Sequence, residues 1–302
     1  MAHVAATALL VNQPETLARW SDPATWGGRL PEFGESVVIP GGRRVLLDVS
    51  PPPLKSLQIN GALIFDETNL NLLADWIVVR GELRIGAASH PHMRRAAIIL
   101  TAEDPHENVM GLGTKFLAAV GKGTISLHGE QRVKRASLGE VAEPGADHVV
   151  VDRWTDWRPG DRIQIRPARG QSGATEELVI IGVDERVLAL DHPLSHSHPG
   201  APPTPTGPLL DKRAEVHLLT RNIMLCGSQT ADPEFGACVL VMPGSRLVMD
   251  GVEGTHLAQR NRAPIFFHPA ANQRESSLKD VSLHAGVTAM ATPASELVAG
   301  LA

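Results

Sequence analysis

The sequence predicts an all-β protein built largely of stacked β coils. Three observations carry that expectation. Val, Ile and Leu gather in runs of four to six bounded by Gly, Pro, Asp and Asn, which is the pattern of short strands closed by turns. Leu57-Gln-Ile-Asn-Gly-Ala-Leu-Ile-Phe65 repeats as Ile77-Val-Val-Arg-Gly-Glu-Leu-Arg-Ile85 at a shift of twenty residues. The composition, with 28 Gly and 23 Pro but only 20% charged residues, suits an ordered, turn-rich chain rather than a disordered one.

In the repeat, Gly61 falls on Gly81, Leu63 on Leu83 and Phe65 on Ile85. The apolar alternation therefore survives the shift, as it must when successive coils stack their inward residues. Two copies alone also fit a pair of antiparallel hairpins, because a solenoid is secure only from about three repeats upward. Before the pair, Val37-Val-Ile-Pro40 and Arg44-Val-Leu-Leu-Asp48 read as strands around the Gly41-Gly42 turn. After it comes Ala96 to Leu100. Between Val149 and Leu190 the style changes to four strands separated by Pro159-Gly160 and polar turns, the pattern of a small inserted β-barrel. His192 to Pro208, rich in proline, reads as the loop that closes it. Short strands then return from Ala214, including Ile223-Met-Leu-Cys226, Val239-Leu-Val241, Arg246-Leu-Val-Met249 and Ser277 to Leu283. The expected units are 1–119, 120–212 and 213–302. The Ala-rich Thr292 to Ala302 reads as a makeshift cap or as a point of truncation, since an open coil end exposes unpaired backbone.

Charge and cysteine content narrow the function classes. A net charge of −5 supplies no broad cationic surface, which argues against nucleic acid as the main partner. No run reaches the roughly 18 apolar residues of a membrane span, and Ala5 to Val11 lacks the basic start of a secretory signal. Cys226 and Cys238 are too few for a disulfide framework and leave a single bridge open.

Trp20-Ser-Asp-Pro-Ala-Thr-Trp-Gly-Gly28, Pro31, Val37-Val-Ile-Pro40, Leu46-Leu-Asp48, Leu73-Ala-Asp-Trp-Ile77 and Gly81-Glu-Leu-Arg-Ile-Gly86 together resemble the G-eight (G8) domain. That family includes hyaluronan-processing proteins and fibrocystin-like receptors. Gly113-Thr-Lys115, Leu127-His-Gly129, Arg213-Ala-Glu-Val216, Leu219-Thr-Arg-Asn-Ile223, Phe235-Gly236, Gly251-Val-Glu253 and Pro264-Ile-Phe-Phe-His268 extend the resemblance in the order of the hyaluronan depolymerase branch. It implies a right-handed parallel β-helix with an inserted β domain, acting extracellularly on an acidic polysaccharide, with calcium as a cofactor. It says nothing of oligomeric state.

The same comparison qualifies the chemistry. Cys238, Phe266 and Met290 stand where the family carries histidines, and neither Phe266 nor Met290 can move a proton. Glu253, Gln259, Arg262, His268, Asp280 and His284 persist. Glu253 and Asp280 are then the candidate general acid and base for glycoside cleavage, with His268 and His284 beside them. Gln259, Arg262 and the basic run Arg132-Val-Lys134-Arg135 are the candidate substrate contacts. Polysaccharide hydrolysis is the first reading, and a glycan-binding or adhesive module that has lost the chemistry is the alternative. Trp20 and Trp26 read as pins for the first strands before they read as sugar platforms. His90-Pro-His92 and His196-Ser-His198 lack third metal ligands and read as solvated turns.

Overall fold

The computed structural model describes residues 17–200, 212–260 and 262–284. Residues 201–208 of the proline-rich loop, Met290 and the Ala-rich segment from Thr292 lie outside the described residues. The architecture is all-β. Among the described residues fifteen strands form one continuous sheet, parallel at every pairing, and six form a second, antiparallel one.

The parallel sheet is wound into three ladders. The first stacks β3 (Arg44–Leu47), β5 (Ala62–Phe65), β7 (Glu82–Ile85), β10 (Thr124–His128) and the first half of β19 (Arg246–Thr255). The second stacks β2 (Ser36–Ile39), β4 (Leu54–Ile59), the end of β6 (Leu70–Val79), β9 (Phe116–Ala119), β18 (Cys238–Val241) and β20 (Ile265–Phe267). The third stacks the start of β6, β8 (Ala96–Leu100), β17 (Ile223–Gly227), the end of β19 and the end of β21 (Ser277–His284). From β5 onward the chain visits the first, third and second ladders in constant order, which is the winding of a parallel β-helix. The expected stacking of coils is therefore present, and antiparallel hairpins are not: Ala62 pairs with Glu82 and Leu63 with Leu83 in parallel register.

Register turns the sequence alternation into columns. Val45, Leu63, Leu83, Ile125 and Leu247 lie one above the next, all without solvent exposure. Val37, Leu57, Ile77, Leu117, Val239 and Ile265 make the matching column of the second ladder. Each such side chain contributes about 1.5–3 kcal/mol by leaving water. One core runs from Trp20 to Ile265 through all three ladders. Trp20 closes its first end: it is buried, its ring centroid is 4.6 Å from that of Trp26, and Trp26 Nε1 donates to Trp20 O at 2.8 Å. The tryptophans thus pin the first coil, as expected.

The second sheet interrupts the helix between β10 and β17. Its order is β11 (Arg135–Ser137), β16 (Glu215–Leu218), β13 (Arg162–Arg166), β14 (Glu176–Asp184), β15 (Val187–Leu190), β12 (His148–Val150). A bridge from Leu138 to Val151 joins the ends of the two outer strands, and the sheet curls as a half-barrel around its own core of Trp157, Ile163, Ile165, Leu178 and Leu188. β16 pairs antiparallel with β11 and β13, so the segment just after Ala214 belongs to this insert and not to the coils that follow.

The expectation of two solvated histidine pairs is corrected here. His92 and His198 are buried, with His92 Nδ1 3.1 Å from Glu67 and His198 Nε2 2.7 Å from Glu176, so only His90 and His196 are the solvated partners of each pair. Both cysteines are free thiols. No helix among the described residues is long and apolar enough to cross a membrane.

The repeated glycine has a steric cause. A Cβ at Gly81 would stand 1.8 Å from Gly61 O, whereas one at Gly41 would meet nothing within 4 Å. Gly81→Ala is therefore expected to lower unfolding stability by roughly 2–4 kcal/mol while Gly41→Ala stays within about 0.5 kcal/mol, measured by denaturant titration. Equal midpoints for the two variants would remove close coil stacking as the reason for the repeat.

Candidate functional site

The coil corner between the first and third ladders sets up the candidate site. β19 turns this corner at Gly251, whose φ is +69°, and the coil above turns it at Asp280, φ +48°. The register confirms the stacking, with Asp250 opposite Lys279 and Val252 opposite Val281. A left-handed residue is required at this bend, and Asp is among the few side chains besides Gly that accept it. The insert leaves and rejoins the helix at the same corner, through Glu130 and Arg221-Asn222. Asn222 Oδ1 accepts from Glu130 N at 2.8 Å, and its Nδ2 donates to His92 O and Arg94 O, both at 2.7 Å.

Three of the four candidate catalytic residues meet there. Glu253 Oε2 accepts from Arg221 N at 2.9 Å and its Oε1 lies 2.8 Å from His284 Nε2. Asp280 Oδ1 accepts from an Arg221 guanidinium nitrogen at 2.6 Å and stands 3.9 Å from Lys134 Nζ. Arg221 also donates to Leu218 O and Thr220 O. Glu253, Asp280, His284 and Arg221 are all nine-tenths or more buried in their side chains. One oxygen of Asp280 and Nδ1 of His284 find no hydrogen-bond partner. The hub is Arg221, which no catalytic or binding motif in the sequence marks. Its signal was the Leu219-Thr-Arg-Asn-Ile223 run, where an Arg-Asn pair precedes a strand at the end of an insert.

His268 sits elsewhere, at the end of β20. It is half-buried, its backbone N–H donates to Val241 O, and its Nδ1 accepts from Ala270 N at 3.0 Å. Gln259 and Arg262 form a second group that holds the loop before β9: Gln259 Nε2 donates to Thr114 O at 2.9 Å and Arg262 to Leu112 O at 2.6 Å. The same guanidinium lies 3.8 Å from Cys238 Sγ. Burial pushes the Cys238 thiol above its usual range and Arg262 only partly offsets this, so the thiol stays protonated and is a poor nucleophile. Beneath this loop Lys115 is buried, donating to Ser228 O at 2.6 Å and Phe235 O at 3.2 Å, and burial pulls its ammonium pKa down.

The basic run divides. Arg132 is buried in a two-bond pair with Asp161, at 3.0 and 2.9 Å, and holds the loop of the insert. Lys134 and Arg135 remain exposed. Among the described residues no three His, Cys, Asp or Glu side chains are placed to hold a metal ion.

What this arrangement can do chemically follows from access. A general acid must reach the glycosidic oxygen, directly or through one water, and must exchange its proton during the cycle. Glu253 and Asp280 instead point into a guanidinium and a backbone N–H. They tie β21, β19 and the root of the insert together. Breaking a buried ion pair by removing one partner costs about 3–5 kcal/mol. Arg221→Met is accordingly expected to lower stability by about that amount and to speed amide exchange along β21, while Arg135→Ala changes stability by under about 0.5 kcal/mol. An Arg221→Met protein as stable as the parent would show that the cluster does not clamp the corner.

Comparison with known proteins places these elements among relatives. The G8 domain matches residues 25–138. Fibrocystin-L of Homo sapiens is 32% identical over 318 residues, covering 88% of this chain and 8% of that protein. Fibrocystin of Mus musculus is 34% identical over 222 residues, covering 71% of this chain and 5% of that protein. The chain thus spans less than a tenth of the length of either relative. Among solved structures, the tailspike of Pseudomonas phage phi297 aligns over 66% of this chain and 29% of its own, at 13% identity and a TM-score of 0.28, too low to add to what the strand pairing establishes.

Proposed function

Because the chain is a G8-domain protein related to fibrocystin-L and fibrocystin, we propose that it is a non-catalytic module that binds an acidic polysaccharide outside the cell. One observation carries the choice of binding over cleavage. The carboxylates of Glu253 and Asp280 are buried and bonded to Arg221, and Glu253 also to His284. Asp280 offsets the Arg221 guanidinium, and each carboxylate is held by groups that a substrate would have to displace. Phe266 and the protonated Cys238 thiol remove further proton carriers from positions where the hyaluronan depolymerase branch uses imidazole. The choice of glycan rests on the resemblance of the motifs from Gly113-Thr-Lys115 to His268 to that branch. Location outside the cell rests on the same resemblance.

The second reading is hydrolysis, for which the meeting of two carboxyl groups, Glu253 and Asp280, at one corner of the helix would supply the acid and base pair. Cleavage would then proceed with one carboxyl protonating the leaving oxygen and the other activating water or forming a glycosyl intermediate. That reading requires the Arg221 contacts to open when substrate enters.

Incubation with hyaluronan, chondroitin and acidic bacterial polysaccharides, with and without added calcium, separates the two. The expected outcome is retention of the protein on immobilised acidic glycan with no change in chain length by size-exclusion chromatography. Shortened chains, lost in Glu253→Gln, would establish hydrolysis in place of binding alone; no retention on any glycan would remove the proposal.

A further inference from the structure

Of the five tryptophans, four are buried or half-buried, and Trp154 alone is exposed, by 67%. Large apolar side chains at such exposure are informative when the backbone beneath them is held. Here it is held at both sides. Asp152 N donates to Ser137 O at 2.8 Å, and Asp152 Oδ1 accepts from Ser137 N at 3.1 Å. Asp156 Oδ1 accepts from Val133 N at 3.1 Å, and Trp157 Nε1 donates to Val133 O at 2.7 Å. The loop 152–157 is therefore tied at its two ends to Ser137 and Val133, the segment that carries Arg135. The indole is presented by a fixed loop of the insert, so its exposure costs little further ordering on binding.

The charges around it are arranged by depth. Arg135 and Arg153 are exposed by 67% and 60% of their side chains. Their carboxylate partners lie below: Asp152 is 4% exposed, and Glu215, 3.7 Å from Arg135, is 25% exposed and is also bonded to His217 at 2.7 Å. Asp156, 38% exposed, is taken up by Val133 N and stands 3.6 Å from Arg132 Nε. Arg153 uses one edge of its fork on Asp152, at 3.1 and 3.3 Å, and the exposed remainder of both guanidiniums stays in water on the loop and strand segment that also carry the exposed indole. A guanidinium offers two parallel donors to a carboxylate or sulfate, and an indole face packs against the C–H face of a sugar ring.

We propose that Trp154, Arg135 and Arg153 form the surface on which this chain holds an acidic saccharide, the sugar ring lying on the indole and its anionic group on the guanidiniums. This rests on the binding function proposed above and adds its location, on the half-barrel rather than in a groove of the β-helix.

The test is a titration of the full chain, followed by tryptophan fluorescence and by calorimetry, with hyaluronan oligosaccharides, chondroitin sulfate, neutral dextran and polyglutamate. Hyaluronan or chondroitin sulfate is expected to change the emission of Trp154 and to bind more weakly as salt rises, since exposed charges are screened. Trp154→Ala and the double variant Arg135→Ala/Arg153→Ala are each expected to weaken binding roughly tenfold with an unchanged melting curve. Parent-like binding by both variants would overturn the location and leave the binding function standing. Failure of the parent chain to bind either acidic glycan would overturn both. Equal affinity for polyglutamate would reduce the surface to a charge effect, and equal affinity for dextran would remove the guanidiniums from it; each result overturns the proposal.

Discussion

In-register stacking of parallel coils is the constraint on which everything else in this protein depends. A strand in the interior of the helix meets its backbone hydrogen bonds only from the coil below and the coil above, so a slip of one residue would turn each apolar column toward solvent. The columns from Val45 to Leu247 and from Val37 to Ile265 are the visible result. Close approach of successive coils is bought with glycine, at Gly61 and Gly81, where no side chain fits against the carbonyl beneath.

The same constraint decides where the chain can depart from the helix. An insertion within a ladder would break a column, whereas one at a corner leaves both neighbouring ladders paired. The half-barrel leaves at the corner after β10 and returns before β17, and β10 still pairs directly with β19 across the gap in sequence. A corner that has lost its direct chain connection needs another tie. Arg221, Glu253, Asp280 and His284 supply it, at the level of the left-handed bend where Asp280 stands over Gly251. An aspartate is suited to that bend on two grounds, since it tolerates the backbone and presents a charge to the arginine.

This division of labour explains why charged residues on the helix and on the insert have different prospects. On the helix, charges near the corner are enclosed by coils on two sides and become structural. On the half-barrel, the antiparallel sheet keeps one face in water, and loops at its edge can present side chains outward. Arg132 and Arg135, three residues apart, show the contrast: one is buried against Asp161, the other remains exposed.

Much of the fold was legible in the residues. The run length of Val, Ile and Leu, the twenty-residue repeat and the change of style after Val149 identify stacked coils with a β insert, because these depend on local alternation and turn chemistry that tertiary structure seldom overrides. The edge of the insert was less legible, since β16 looks like any short strand and only pairing with β11 and β13 assigns it. The site was legible as a set of residue types but not as an arrangement. Glu253 and Asp280 could be named from sequence; that Arg221 would join them, that His268 would lie apart, and that His92 and His198 would be buried could not. By itself, then, the sequence determined the strands, the inward faces and the coil repeat, all set by neighbours along the chain. Only the tertiary structure decided which charges are buried and paired, because that depends on residues as far apart in the chain as Lys134 and Asp280 meeting at one corner of the helix.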